Sequence, residues 1–263
     1  PGTWDLAALD LIRDLGGLTR SAARQGAELA VWPEASMYVD PRRDPGVRRA
    51  LDRLARSTGV RLIVPFFDRP AEEGYAIGVV PSTDGVRLTE VRPKQRHAWV
   101  VGERRGEGEP LPIDVGGVRV GTLLGTDPQD ARLAGILAGE EAALLVSATH
   151  DWRQSAAPQS DYARLAAQAT GLPLIRADWR YRSAIYAPDG EQIADAGSDR
   201  RRAIVVADVA VAAAATPYAR IGDLVGWLAA AVSLAALVAA ARSPGRRRVR
   251  PKPNGRRPET AST

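Results

Sequence analysis

The sequence predicts an α/β layered fold that ends in one long apolar helix. Three observations predict it. Apolar runs of strand length alternate with stretches of helical period through the first half of the chain, and hairpin-like pairs follow in the second. A β-branched run over residues 118–127, VRVGTLLGTD, opens into a turn of small residues at the head of a helix. Residues 224–241 carry no charge at all.

Composition sets the bounds. With 263 residues, 45% hydrophobic and 25% charged, the chain has enough apolar residues for a sizeable core. The net charge of +5 is unevenly placed: from Arg242 onward eight Lys or Arg face one Glu, so residues 1–241 carry a net −2. The basic balance is therefore a property of the tail, and the body gives no reason to expect nucleic-acid binding. No cysteine is present, which removes disulfides, thiolate metal sites and thiol nucleophiles together. The first residue is Pro1 and no signal peptide precedes the first helical pattern, so the sequence reads as a segment of a longer precursor.

In chain order, Leu6, Leu9, Leu11, Leu15, Leu18 and Ala22 mark an amphipathic helix that stops at Gly26. Residues 28–32, ELAVW, form a short buried strand broken by Pro33. Residues 44–59 are a second helix, with Pro45 in its first turn and Gly59 at its stop. Strands follow at 61–67, 75–81 and 86–92. Gly116 and Gly117 turn a hairpin into the 118 strand. Helices are expected at 130–139 and 160–171, strands at 143–149 and 172–177, a hairpin at 182–196, and a last strand at 202–209.

The apolar run 224–241 spans about 27 Å at ~1.5 Å per residue, close to the ~30 Å of a bilayer's hydrocarbon layer. The basic block Arg246, Arg247, Arg248 follows it. This pattern favours a membrane span over a buried Ala-rich helix, with a cytoplasmic tail and the body on the extracytoplasmic side of the cell membrane. The tail, 242–263, is expected to be disordered.

Three positions stand out for chemistry. Glu34 follows strand ELAVW in Trp32-Pro33-Glu34, so a stiff turn holds a carboxylate at a strand's C-terminal edge, where α/β folds place ligands. Lys94 is the single lysine of the body, in a chain that otherwise writes cation as Arg 34 times. A compact ammonium suits an oxyanion or a carboxylate. Gly125 stands where a strand-to-helix elbow presents a nucleophile, and it has no side chain. His97 and His150 are too far apart in sequence to suggest a metal pair and read as surface or packing residues; neither metal nor cofactor is expected.

The spacing of Glu34, Lys94 and the elbow resembles the nitrilase, or carbon-nitrogen hydrolase, superfamily. More narrowly, the chain is similar to the C-terminal part of bacterial apolipoprotein N-acyltransferases. AELAVWPEAS resembles that family's base motif, PKQRHAWVVGE its lysine motif with a downstream Glu103, and VGTLLGTD its nucleophile strand. LLVSATHDW, ATGLPLIRA and TPYARIGD ahead of an apolar helix are similar to further signatures in the same order.

The resemblance implies a four-layer α-β-β-α sandwich over residues 1–215 whose first core strand is missing, then a TPYAR linker and transmembrane helix over 216–241. It implies a reaction in which a thiolate takes an acyl chain from phospholipid and passes it to the N-terminal amine of a lipoprotein. The glutamate matching Glu34 removes the thiol proton, and the lysine matching Lys94 stabilises the oxyanion. Phospholipid and lipoprotein are the partners so implied.

Departures matter as much. The nucleophile position is Gly125, and no cysteine exists to replace it. The lysine motif carries one extra residue before Glu103, which leaves the role of Glu103 open. The Asn-Asp-Ala-Trp segment reads His150-Asp151-Trp152, Ala169 replaces a glutamate, and residues 179–181 replace an Asn-Thr-Gly. The sequence therefore supports a degenerate family member that binds lipid or lipoprotein or serves as an accessory module, with an acyltransferase or hydrolase using a non-cysteine nucleophile such as Thr126 or Ser147 as the alternative. A soluble small-amide hydrolase fits the apolar run poorly.

Overall fold

The computed structural model of the chain describes residues 3–83, 85–96, 102–197, 203–211 and 216–242. Helix α1, Thr3–Ala23, leads into strand β1, Leu29–Val31. Helix α2, Pro45–Thr58, begins at the Asp44 cap, whose carboxylate accepts from the N–H groups of Gly46 and Val47. Such a cap contributes about 1 kcal/mol. Its stop is Gly59, at φ 71, a left-handed conformation that only glycine adopts without cost.

Strands β2, Arg61–Asp68, β3, Glu73–Ser82, and β4, Gly85–Pro93, complete a sheet in the order β1-β2-β3-β4. Here β1 and β2 run parallel and the rest antiparallel. The second sheet holds β5, Ile113–Asp114, β6, Arg119–Leu124, β7, Leu144–Thr149, β8, Leu174–Asp178, β9, Ala184–Tyr186, and β10, Gln192–Asp195, in reverse sequence order. Its three central strands, β6 to β8, are parallel. Their crossovers are α3, Ala131–Gly139, and α4, Ala156–Thr170.

Alternation along the strands sorts the core into three layers. Leu62, Val64 and Phe66 of β2 face α1 and α2, where Leu51 and Leu54 meet them. Ile63 faces the other way and packs with Val120, Leu124, Leu144 and Val146 between the two sheets. Leu123, Leu145 and Leu174 face α3 and α4. Helices thus cover both outer faces of two stacked sheets, the α-β-β-α sandwich. Leu51 is fully buried, and truncating it to alanine would cost about 2–5 kcal/mol.

The expected last strand over 202–209 is not formed: the described residues 203–211 belong to no ladder. The reason lies beside β1. Arg61 N–H donates to Glu28 and Trp32 N–H to Ile63, so the ladder to β2 uses alternate residues, and Leu29 and Val31 turn their main-chain groups the other way. There a cavity of about 860 Å³ opens, lined by Leu29, Val31, Ile175 and residues 203–209, and no ladder joins the two segments.

The compact body runs to Gly222. The TPYAR segment is a short helix, α5, Pro217–Ile221, anchored by Thr216, whose N–H and hydroxyl donate to the carbonyls of Thr170 and Ala169. The second unit contains α6, Leu224–Arg242, long and apolar enough to cross a membrane, with a mean hydropathy of 2.2. Residues 243–263, and with them the expected disorder of the tail, lie outside the described residues, as does His97.

Candidate active site

The ends of β1, β4, β6, β7 and β8 converge on one edge of the sandwich. Past β1, Trp32 is anchored by its indole N–H to Thr19 Oγ1 of α1 at 3.0 Å. After Pro33 the chain bends sharply, with Ala35 at φ 49. A non-glycine residue there carries about 1–2 kcal/mol of strain. Ser36 closes the bend by donating its N–H to Pro65 and its hydroxyl to Pro33. The bend aims Glu34 into the site, where Trp179, just past β8, donates its indole N–H to the Glu34 carbonyl at 2.6 Å.

Both carboxylate oxygens of Glu34 are engaged. Oε1 accepts from Lys94 Nζ at 2.7 Å and Oε2 from His150 N–H at 3.2 Å. Lys94, just past β4 and 3% exposed, also donates to Glu103 Oε2 at 2.6 Å. Two carboxylates thus share one ammonium in a nearly dry place. Burial alone would pull the Lys94 ammonium down, but Glu34 and Glu103 outweigh it and hold it above the ordinary lysine value.

Gly125 lies at the end of β6, at φ 53, with its N–H donated to the Ala148 carbonyl at 2.8 Å. A Cβ placed there would stand 2.4 Å from Glu34 Oε1 and 2.7 Å from Lys94 Nζ. The ion pair therefore closes over the space in which an elbow's side chain would sit. The four positions singled out from sequence, Glu34, Lys94, Glu103 and Gly125, stand side by side.

Two residues of the site escaped the sequence reading. Asp127 is 1% exposed and accepts from the N–H groups of Leu124 at 2.9 Å, Gln95 at 3.1 Å and Arg96 at 2.6 Å. It ties the lysine loop to the elbow. Burial pushes its carboxyl up to about 7, against those three N–H groups and the Lys94 charge. An acid closing an otherwise apolar strand and turn was the signal that could have found it. Trp179 is the second; nothing in its own segment marks a tryptophan that reaches residue 34.

Candidate hydroxyls do not enter the site. Thr126 donates its hydroxyl to the Arg96 carbonyl, and Ser147 is fully buried within the sandwich. His150 is exposed and contributes its main chain, its ring lying 6.2 Å from that of Trp179. Beside Glu34 opens a cleft of about 630 Å³, lined by Tyr38, His150, Trp152, Trp179 and Tyr181. Among the described residues no group of three or more acids and histidines is placed to hold a metal ion.

The sequence profile of the carbon-nitrogen hydrolase family matches residues 4–218. The chain belongs to that family. The carbon-nitrogen hydrolase fold also recurs in solved structures. One is a carbon-nitrogen hydrolase from Helicobacter pylori G27, with TM-score 0.66 and 17% identity over 78% of this chain and 85% of that one. A Saccharomyces cerevisiae member of branch 10 of the nitrilase superfamily gives TM-score 0.62 at 17% identity, covering 73% of this chain and 81% of that one. An amidase from Nesterenkonia sp. gives 0.59 at 19% identity, covering 74% and 81%. No curated protein sequence matches this carbon-nitrogen hydrolase-family chain.

Proposed function

We propose that the chain is a membrane-anchored domain of the apolipoprotein N-acyltransferase type that has lost covalent catalysis and binds lipid or lipoprotein in the remaining cleft. One observation carries the reading: the Glu34–Lys94 pair occupies the place of a nucleophile at Gly125. In a glutamate-to-glutamine mutant of the Nesterenkonia amidase acrylamide adds to the active-site cysteine, and this chain has no cysteine. Glycine offers no lone pair to attack a carbonyl carbon. Among the described residues no side-chain hydroxyl hydrogen-bonds to Glu34 or Lys94, which speaks against a Ser or Thr replacement.

What remains suits a ligand with an apolar part. Tyr38, Trp152, Trp179 and Tyr181 present rings to the cleft, Trp152 being 65% exposed. Helix α6 supplies the anchor, and the arginines after it orient the tail to the cytoplasm and the body to the opposite side. The cavity beside β1, with main-chain groups of Leu29 and Val31 turned into it, fits one further strand of the same sheet.

The test uses the chain in phospholipid vesicles with a diacylated lipopeptide as acceptor. The reading expects saturable lipopeptide binding and no acylated product. Acyl transfer by the unaltered chain contradicts it.

A further inference from the structure

Four buried side-chain atoms on β7, α4 and β8 lack a hydrogen-bond partner: Ser147 Oγ, Thr149 Oγ1, Gln159 Oε1 and Arg176 Nη1. All four residues are more than nine-tenths buried. Topology puts three of them on one face. Ser147 and Thr149 stand two apart on β7, and Arg176 lies opposite Ser147 in the parallel ladder. It is the face on which Leu145 and Leu174 meet Ala163, Ala166 and Ala167 of α4. Gln159 lies one helical turn before Ala163 on the buried stripe of that helix.

A buried hydroxyl, guanidinium or amide left without a partner costs about 1–3 kcal/mol, and native proteins rarely accept several in one place. The donor set decides what fills the layer. Arg176 Nη1 offers only N–H donors, Gln159 Oε1 only accepts, and the two hydroxyls do either. An anion would face the Gln159 oxygen, with Asp151 and Asp178 close by on Arg176 Nη2. A cation would face Arg176 itself. A water molecule both donates and accepts and carries no charge.

We infer that one or more structural water molecules bridge Ser147, Thr149, Gln159 and Arg176 beneath α4. The inference goes beyond the proposed function and does not depend on lipid binding or acyl transfer. Its place gives it a role in the site. Ala148, between the two hydroxyl residues, accepts the Gly125 N–H, and Arg176 pairs with Asp151 and Asp178. Asp151 directly follows His150 and Asp178 directly precedes Trp179, the two residues whose N–H and indole hold Glu34. The water completes the solvation of Arg176 and so steadies both loops.

A crystal structure of the full chain in detergent, at a resolution that shows ordered water, tests this. Density for a water within hydrogen-bond distance of at least two of the four atoms is expected. No such density, or an anomalous bromide peak there after a bromide soak, overturns the inference. Ser147→Ala and Thr149→Val give a second readout on the same protein. Where water binds, each lowers the melting temperature by about 2–4 °C, since a bridge is lost. Melting temperatures unchanged or raised in both variants overturn it, because removing an orphaned hydroxyl from a dry core is neutral or stabilising.

Discussion

Glu34 Oε1 and Lys94 Nζ lie 2.7 Å apart, and the point where a side chain at Gly125 would begin is within 3 Å of both. The carboxylate and the ammonium are thus each other's partner. Replacing Lys94 with methionine keeps the stem but removes the ammonium that Glu34 and Glu103 share. A broken buried pair costs about 3–5 kcal/mol, so Lys94→Met should lower stability by that order in urea melts. Adding Glu103→Gln should restore part of it, because one buried charge is then gone.

Asp127 makes a pH-dependent contribution. Its carboxyl is raised from an ordinary 3.8 to about 7 in the folded chain. Between about pH 4 and pH 7 the unfolded chain has lost this proton while the folded one keeps it, so this group makes stability fall as pH rises through that window. Asp127→Asn removes that slope. It also sets an amide N–H₂ against main-chain donors and should cost about 1–3 kcal/mol at pH 5. Urea melts of both proteins at pH 5 and pH 8 check the two statements; an unchanged slope would count against the assignment.

The site is sensitive to Cβ atoms at the elbow. Gly125→Ala forces the ends of Glu34 and Lys94 to move and puts an L-residue at φ 53. The left-handed backbone alone costs about 1–2 kcal/mol. A melting temperature lowered by about 2–4 °C per kcal/mol is expected, with the fold intact by circular dichroism.

Helix α6 predicts partition. The full chain should stay with membranes through alkaline carbonate extraction, and a chain ending at Gly222 should be released. A truncated chain still held by membranes would mean that the body carries its own membrane contact.

Much of this was legible in the sequence, and the physical reasons are specific. Helix α2 was bounded by Asp44 and Gly59 because caps act locally, within one turn. The α/β layering followed from apolar runs of strand length, and β2 and β7 are indeed buried almost throughout, whereas the sandwich itself came from the family resemblance. Residues 203–211 misled because a VVADV run reads as a strand whether or not a neighbour exists to pair with it. Pairing is a tertiary fact that composition does not carry. The same holds for Trp179 and Glu34, separated by 145 positions and joined by one hydrogen bond. Asp127 was visible as a letter, but two of its three N–H donors, Gln95 and Arg96, lie in a loop that only the fold brings beside it.

The proposed reading places the Glu34 carboxylate and the Lys94 ammonium at an elbow from which the nucleophile is missing. Intact-mass measurement of Gly125→Cys protein after incubation with phospholipid vesicles tests it most directly, beside the unaltered chain. The account predicts a mass gain of one acyl chain on the folded variant, removed by hydroxylamine, and none on the parent. An acyl adduct on the parent, or a folded Gly125→Cys protein that gains none, would contradict it.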